Sequence, residues 1–215
     1  MKNNPYMEMV SNHDKILNIK SDIYSNKWKW NYYFWNNNPI LLEIWTWMWN
    51  YFSDEVSNNI NKNYIWIELK FKRLYVTAEK CINKWAKDNF VVIQDYWQNI
   101  WEIFSNWEVS EVIIHFPDPW AKKDRQKKHR LFSRDFVNNL YKILKKWWKV
   151  IFKTDHREYF ETTLEYFDDN FWNREVLSFD YENELDKFDK NKMTEFEHIF
   201  RKDKLKINYV EFIKK

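Results

Sequence analysis

From about residue 40 onward, short apolar runs alternate with longer charged stretches. Residues 40–44, 64–69, 90–94, 112–116, 149–154 and 207–213 read as strands. Between them apolar side chains recur at three and four. Phe71, Leu74, Tyr75 and Ala78 form one such series, and Phe132, Phe136, Leu140, Ile143 and Leu144 another; both predict helices. Strand and helix in repeated alternation predict an α/β domain around a mostly parallel sheet. Before about Asn38 the chain is polar and aromatic and gives no clean strand. Residues 180–206 are charged and read as an insertion before a final strand. No internal repeat is visible.

In an open parallel sheet, ligands bind beyond the carboxyl ends of the strands. Acidic residues stand at five successive strand ends: Glu43, Glu68, Asp95, Asp118 and Asp155. One acid near a strand end is ordinarily a solvated side chain or a helix cap. Five in succession point to a shared cleft.

The first strand runs into "EIWTWMWNYF", with Trp45, Trp47 and Trp49 at alternate positions where the chain must turn. Such turns favour glycine, the residue free to take positive φ. The whole chain of 215 residues has no glycine and 15 tryptophans, and that tryptophan share matches the usual glycine share of about 7%. "KKWWKV" repeats the anomaly between a basic helix end and an apolar strand. Most tryptophans are therefore expected to stand at glycine positions. A gene whose UGA codons mean glycine, rendered as tryptophan, would produce this pattern.

With glycine at those three positions the first turn becomes E-I-G-T-G-M-G, which lets backbone approach a ligand closely. The spacing differs from the dinucleotide fingerprint, and no Lys-Ser or Lys-Thr follows to cradle phosphate. Glu68 ends the second strand, where an acid accepts ribose hydroxyls. Asp95, after the third strand, is placed to hold an adenine amino group. An adenosine cofactor without a polyphosphate fits best, and S-adenosylmethionine is the expected one.

A more specific motif follows the fourth strand: "VIIHFPDPWAKKDRQKKHRLFSRDF". Prolines fix the backbone on both sides of Asp118. A basic run comes next: Lys122, Lys123, Arg125, Lys127, Lys128, His129 and Arg130. Most such runs are solvated surface. This one adjoins the expected cleft, where phosphate contacts would position a polynucleotide.

These segments together resemble the bacterial tRNA (guanine-N7)-methyltransferases. The resemblance runs from about Phe34 to the C-terminus and is carried by "FWNNNPILLEIWTWMWNY", "IWIELK", "IHFPDPWAKKDRQKKHRL", "KKWWKVIFKTD" and "MTEFEHIF". It implies a Rossmann-like class I methyltransferase, with a mostly parallel central sheet, helices on both faces and an antiparallel C-terminal strand. It also implies one domain over 34–215 after an N-terminal extension over 1–33. Trp120 belongs to the family motif, whereas Trp35, Trp45, Trp47, Trp49, Trp66, Trp147 and Trp148 fall on family glycines. By this resemblance Glu43, Glu68, Asp95 and Asp118 line the S-adenosylmethionine site. Lys122, Asp155, Thr194, Glu195, Phe196 and Glu197 contact the target nucleotide, the variable-loop guanine at position 46 of tRNA. Without the resemblance, the 194–197 stretch reads equally well as a helix start, Thr capping and Glu in the first turn.

Guanine N7 has a free lone pair and needs no proton removed before attack. Alignment is then the enzyme's main task. The methylated base is cationic, so a carboxylate beside it stabilises developing charge; Asp118 is the catalytic candidate. Two other readings stay open: a methyltransferase acting on another RNA or a small substrate, and an RNA-binding protein that has lost catalysis.

Bulk properties add limits. Lys and Arg number 35 against 32 Asp and Glu, so net charge is only +3 and local clustering must carry any nucleic-acid argument. A single cysteine, Cys81, excludes a disulfide framework and fits a reducing, cytoplasmic setting. No apolar run approaches a membrane span, and the first twenty residues lack the apolar core of a signal peptide. His13, His115, His129, His156 and His198 have no ligand spacing, so no metal is expected. Monomer and homodimer both remain open.

Overall fold

The computed structural model describes residues 4–44, 50–86, 88–184 and 193–215. Its strands are β1 (Ile16–Leu17), β2 (Ile40–Ile44), β3 (Asn63–Glu68), β4 (Phe90–Gln94), β5 (Val109–His115), β6 (Leu144–Thr154), β7 (Trp172–Ser178) and β8 (Asn208–Lys214). The helices are α1 (Pro5–Ser11), α2 (Lys20–Ser25), α3 (Trp30–Tyr33), α4 (Asn50–Asn58), α5 (Phe71–Asn83), α6 (Ile100–Ile103), α7 (Arg134–Ile143), α8 (Arg157–Leu164), α9 (Tyr181–Glu184) and α10 (Glu195–Lys202). The strands form one sheet in the order β1-β4-β3-β2-β5-β6-β8-β7. The first six in that order run parallel, and β8 lies antiparallel between β6 and β7. Strand order reverses at β2, which has β3 on one side and β5 on the other, so the ligand crevice belongs at its carboxyl end.

Period-two alternation in the strands divides the core between the two faces. Ile40, Leu42, Ile44, Ile65, Ile67, Ile93 and Ile114 pack with residues of α2, α3, α6, α7 and α8. Leu41, Tyr64, Trp66, Val92 and Ile113 pack with residues of α1, α4 and α5. Nearly every core strand residue is buried, as expected for a parallel sheet covered on both sides.

The sheet is wider than the sequence pattern suggests. β1 is only two residues long, too short for a periodicity, and pairs with β4 through Ile16 and Leu17. β7 reads "WNREVLS"; only Trp172 and Ser178 are buried, because its outer side has no strand neighbour. β6 starts at Leu144, five residues before the apolar run, with an irregularity where it joins β5. The stretch expected as an insertion contributes α10, whose start is a capping box: the Glu197 amide donates to Thr194 Oγ1 and the Thr194 amide donates to Glu197 Oε2.

Several tryptophans occupy a backbone region that bulky residues avoid. φ is positive at Trp28, Trp35, Trp85, Trp107, Trp120 and Trp147, and also at Phe116 and Lys204. α5 ends in a Schellman motif: the Ala86 amide donates to Cys81 O at 3.0 Å and the Trp85 amide to Ile82 O at 2.9 Å. Trp85 takes the left-handed position, φ 67°, with 85% of its surface exposed. A side chain there costs roughly 1–2 kcal/mol, and an exposed ring recovers little of it. Trp66 is anomalous differently: it is buried on β3 and its indole N–H has no hydrogen-bond partner. Trp45, Trp47 and Trp49 lie outside the described residues.

Candidate active site

Adjacent parallel strands bring the expected acids to one edge of the sheet. Glu68 ends β3, Asp95 follows β4, Asp118 follows β5 and Asp155 follows β6. Glu43 is the penultimate residue of β2, buried, opposite Trp66 on one side and Ile113 on the other.

Ile44, Ile67, Glu68, Leu69, Asp95 and Trp97 line a small cleft at the ends of β2, β3 and β4. Its floor is apolar and its polar groups are two carboxylates. Glu68 Oε1 accepts the amides of Leu69 (2.7 Å) and Lys70 (2.9 Å), and Oε2 pairs with Arg73 Nη1 at 3.0 Å. The carboxylate is thus held rigid, with lone-pair capacity left on Oε2. Asp95 is buried; its Oδ1 accepts the Tyr96 amide and Asn99 Nδ2, both at 2.7 Å. Asp95 Oδ2 is buried without a hydrogen bond. A buried acceptor left unpaired is costly unless something donates to it, and an adenine amino group is such a donor. The residues present therefore fit an adenosine moiety: an apolar slot, a fixed acid for the ribose and an unfilled acceptor. Tyr24 next to Asp95 is pushed up to about 12, first by burial and then by hydrogen bonding to the Asp95 carboxylate and its charge.

Asp118 is exposed at the mouth of β5, with Oδ1 accepting the Trp120 amide at 3.0 Å. Before it, Phe116 holds a left-handed backbone, φ 51°, and donates its amide to Lys153 O at 2.8 Å. Strain of this kind in a bulky residue beside a cleft marks a geometry fixed by its surroundings. Asp155 is half-buried, and burial raises its carboxyl above the ordinary range. Glu195 Oε1 accepts the amide of Asn50, the first residue of α4, at 2.9 Å, which puts the start of α10 beside the start of α4. Phe196 stacks on Phe200 and lies 5.9 Å from Phe116. Thr194 and Glu197 are buried in the capping box.

The basic run divides in two. Lys122, Lys123, Arg125, Lys128 and His129 are exposed. Arg130 is buried: Nε donates to Pro119 O at 2.8 Å, Nη1 and Nη2 grip Glu158, and the guanidinium lies 4.7 Å over the Tyr159 ring. Lys127 is shared between Asp124 and Glu158. Sequence reasoning grouped all seven as phosphate ligands. Arg130 instead fastens the Pro119 backbone, a role no spacing could show because Glu158 lies on α8.

Two further groups at this edge had no sequence signal. His115 ends β5, fully desolvated, with Nδ1 unpartnered and its ring edge-on to Tyr51; burial holds it neutral, well below the ordinary imidazole range. Lys153, near the end of β6, is buried against Glu197. A lysine in an apolar run reads as an edge residue until its partner is seen. Among the described residues, no cluster of three or more His, Cys, Asp or Glu could hold a metal, and no helix is long and apolar enough to cross a membrane.

Residues 37–209 match the profile of a family described as "Putative methyltransferase". The chain is 32% identical to the tRNA (guanine-N(7)-)-methyltransferase of Bacillus subtilis, across 93% of this chain and 92% of that protein. It is 34% identical to the Clostridium botulinum (strain Hall) protein of the same name, across 85% of each. A "Bifunctional glycosyltransferase/methyltransferase" of Fusobacterium nucleatum is 35% identical over 98% of this chain; the chain spans only 33% of that protein's length. Among solved structures, the 16S rRNA methyltransferase KamB superposes with a TM-score of 0.59 at 9% identity, over 91% of this chain and 92% of that one. SMU.1697c of Streptococcus mutans, in complex with SAH, gives 0.52 at 12% identity, over 83% and 90%. At such identities these structures speak to the fold alone.

Proposed function

Because this chain belongs to the tRNA (guanine-N7)-methyltransferase family, we propose that it methylates N7 of the variable-loop guanine, position 46, of tRNA. S-adenosylmethionine supplies the electrophilic methyl group. A cytoplasmic location follows from that substrate.

Glu68 and Asp95 would hold the adenosine end, the first through ribose hydroxyls and the second through its unpartnered Oδ2. Glu43, buried on β2, lies between them and β5. Guanine N7 attacks with its own lone pair, so no general base is required of this chain. Asp118 would face the base as positive charge develops on it, and Lys122, Asp155 and the 194–197 segment would fix its plane. A preoriented carboxylate in a water-poor cleft favours the cationic transition state over the neutral ground state. The exposed cations Lys123, Arg125 and Lys128 would take phosphates and set the register of the tRNA.

The observation that carries this reading is the unpaired Asp95 acceptor in an apolar cleft, one edge of the sheet away from an exposed cationic loop. The test is methyl transfer from labelled S-adenosylmethionine to tRNA transcripts, with the modified base mapped by cleavage at 7-methylguanine. Label should appear at the variable-loop guanine and vanish when that base is changed to adenine. Equal labelling of the changed transcript would reassign the target base. Binding of cofactor with no labelling of any tRNA would favour another substrate.

A further inference from the structure

Lys153 sits where two parts of the site meet. Its side chain is 7% exposed, and its Nζ lies 3.3 Å and 3.2 Å from the two carboxylate oxygens of Glu197, itself fully buried. The Tyr181 ring lies 4.5 Å from the ammonium and the Tyr209 ring 5.7 Å. Glu197 closes the capping box with Thr194, so the ammonium clamps the start of α10 through that carboxylate. The carbonyl of the same lysine accepts the amide of Phe116, which holds the turn into Asp118. Phe116 in turn packs 5.9 Å from Phe196 and 5.3 Å from Phe200.

An apolar pair of similar volume would stabilise such a site at least as well. Geometry is what the ion pair adds: fixed distance and direction between β6 and α10. We propose that Lys153 is a positioning residue for methyl transfer, tying the 194–197 segment by its ammonium and the Asp118 turn by its carbonyl so that both meet the target base in one arrangement. This rests on the assignment of those residues to the base.

Lys153→Met and Lys153→Arg in the full chain test it, with Lys153→Gln in reserve should the Met variant not fold. Cofactor affinity by calorimetry should stay within about twofold of the parent, because the adenosine cleft lies across the sheet. Amide exchange over 193–202 should accelerate in Lys153→Met. Its single-turnover methylation of saturating tRNA should fall at least about tenfold, and Lys153→Arg should recover most of the rate. Parental exchange over 193–202, or a parental rate in Lys153→Met, would overturn the inference. If the parent protein binds S-adenosylmethionine but methylates no tRNA, the substrate assignment fails, while the exchange comparison still decides whether Lys153 holds α10.

A second inference stands on backbone geometry alone. Among the described residues eight have positive φ, and six of them are tryptophan. Trp28, Trp35, Trp85, Trp107 and Trp147 are 65–91% exposed, so their rings gain little from burial. Trp35 closes α3 as Trp85 closes α5: the Asn36 amide reaches Asn31 O and the Trp35 amide reaches Tyr32 O. Trp30 and Trp172 are unlike these. Trp30 is buried and its indole donates to Ile103 O at 3.1 Å; Trp172 is buried edge-on to Phe167. Trp120 packs on His129 despite its positive φ. We infer that Trp28, Trp35, Trp85, Trp107 and Trp147 are glycine in the protein its own cell makes, and that Trp30, Trp120 and Trp172 are tryptophan there. The gene should read UGA at the first five and UGG at the other three, and peptide masses of the native protein should show glycine and tryptophan accordingly. Tryptophan masses at the five positions would overturn the inference. In protein made with tryptophan at all of these positions, Trp85→Gly and Trp107→Gly should raise the denaturation midpoint and Trp30→Gly should lower it; the reverse order would also overturn it.

Discussion

The amide of Asn50 donates to Glu195 Oε1 at 2.9 Å, across 145 positions of sequence. It is the first amide of α4, one of those with no partner within the helix. A carboxylate there also meets the positive end of the helix dipole. The start of α4 is thereby fastened to the segment that would carry the base. Glu195→Ala should cost about 0.5–2 kcal/mol of stability, as for loss of a helix cap, and should speed amide exchange in the first turn of α4. Exchange at Asn50 equal to the parent's would show that this hydrogen bond does not hold the helix.

Asp95 gives a test of the adenosine cleft. Its Oδ1 is committed to Tyr96 and Asn99, and Oδ2 is free to accept. Asp95→Asn sets an amide N–H₂ where that acceptor stood, facing another donor. A lost hydrogen bond to a charged group is worth about 1.5–3 kcal/mol, so cofactor affinity should fall roughly tenfold to a hundredfold while the fold persists. Calorimetric affinity equal to the parent's would move adenine out of this cleft.

Much of this site is legible in the order of residues alone. Five acids at five apolar runs mark the edge of the sheet, because β2 and β4 are buried on both faces and so appear as unbroken runs. What stays hidden depends on distant partners. Lys153 needs Glu197, forty-four residues on, to become a clamp. Arg130 needs Glu158 to become structural. β7 carries Arg174 and Glu175 on an open edge and has no apolar period to detect. Glycine positions are legible as a group from composition, but Trp28, Trp85 and Trp107 are singled out only by their positive φ.

The basic loop should respond differently to two sets of changes. Lys123→Ala, Arg125→Ala and Lys128→Ala combined should weaken tRNA binding and flatten its salt dependence, by about one in slope for each phosphate no longer neutralised. Arg130→Ala should leave that slope unchanged and lower the denaturation midpoint, since it takes the guanidinium from Glu158 and frees the Pro119 carbonyl. A slope change in Arg130→Ala alone would make it a phosphate ligand after all.

The same clamp predicts an acid response. Arg130 is the main cause that lowers the Glu158 carboxyl from 4.5 to about 2. A carboxylate depressed on folding stabilises the folded chain above its ordinary value. That contribution should be whole above about pH 4.5 and be lost as pH falls through about 2. Glu158 is half-exposed, so the effect is modest. The stability gap between the parent and Glu158→Gln should therefore be wider at about pH 6 than at about pH 3. A gap that does not narrow on acidification would mean that the charge on Glu158 is not what holds Arg130.

Asp118 remains the residue on which catalysis should turn. It is exposed, it follows a buried proline, and its Oδ1 is fixed by the Trp120 amide. Asp118→Asn can keep that hydrogen bond through its amide oxygen, so the turn should retain its shape and the fold its stability. What disappears is a negative charge that the methylated, cationic base would face. Loss of one preorganised electrostatic group costs on the order of 10²–10³ in rate. The deficit should appear in single-turnover methylation with both substrates saturating, and much less in tRNA affinity, because the ground-state guanine is neutral. Methylation at the parental rate under those conditions would mean that alignment by Lys122, Asp155 and the 194–197 segment is sufficient, and that Asp118 serves only to shape the turn.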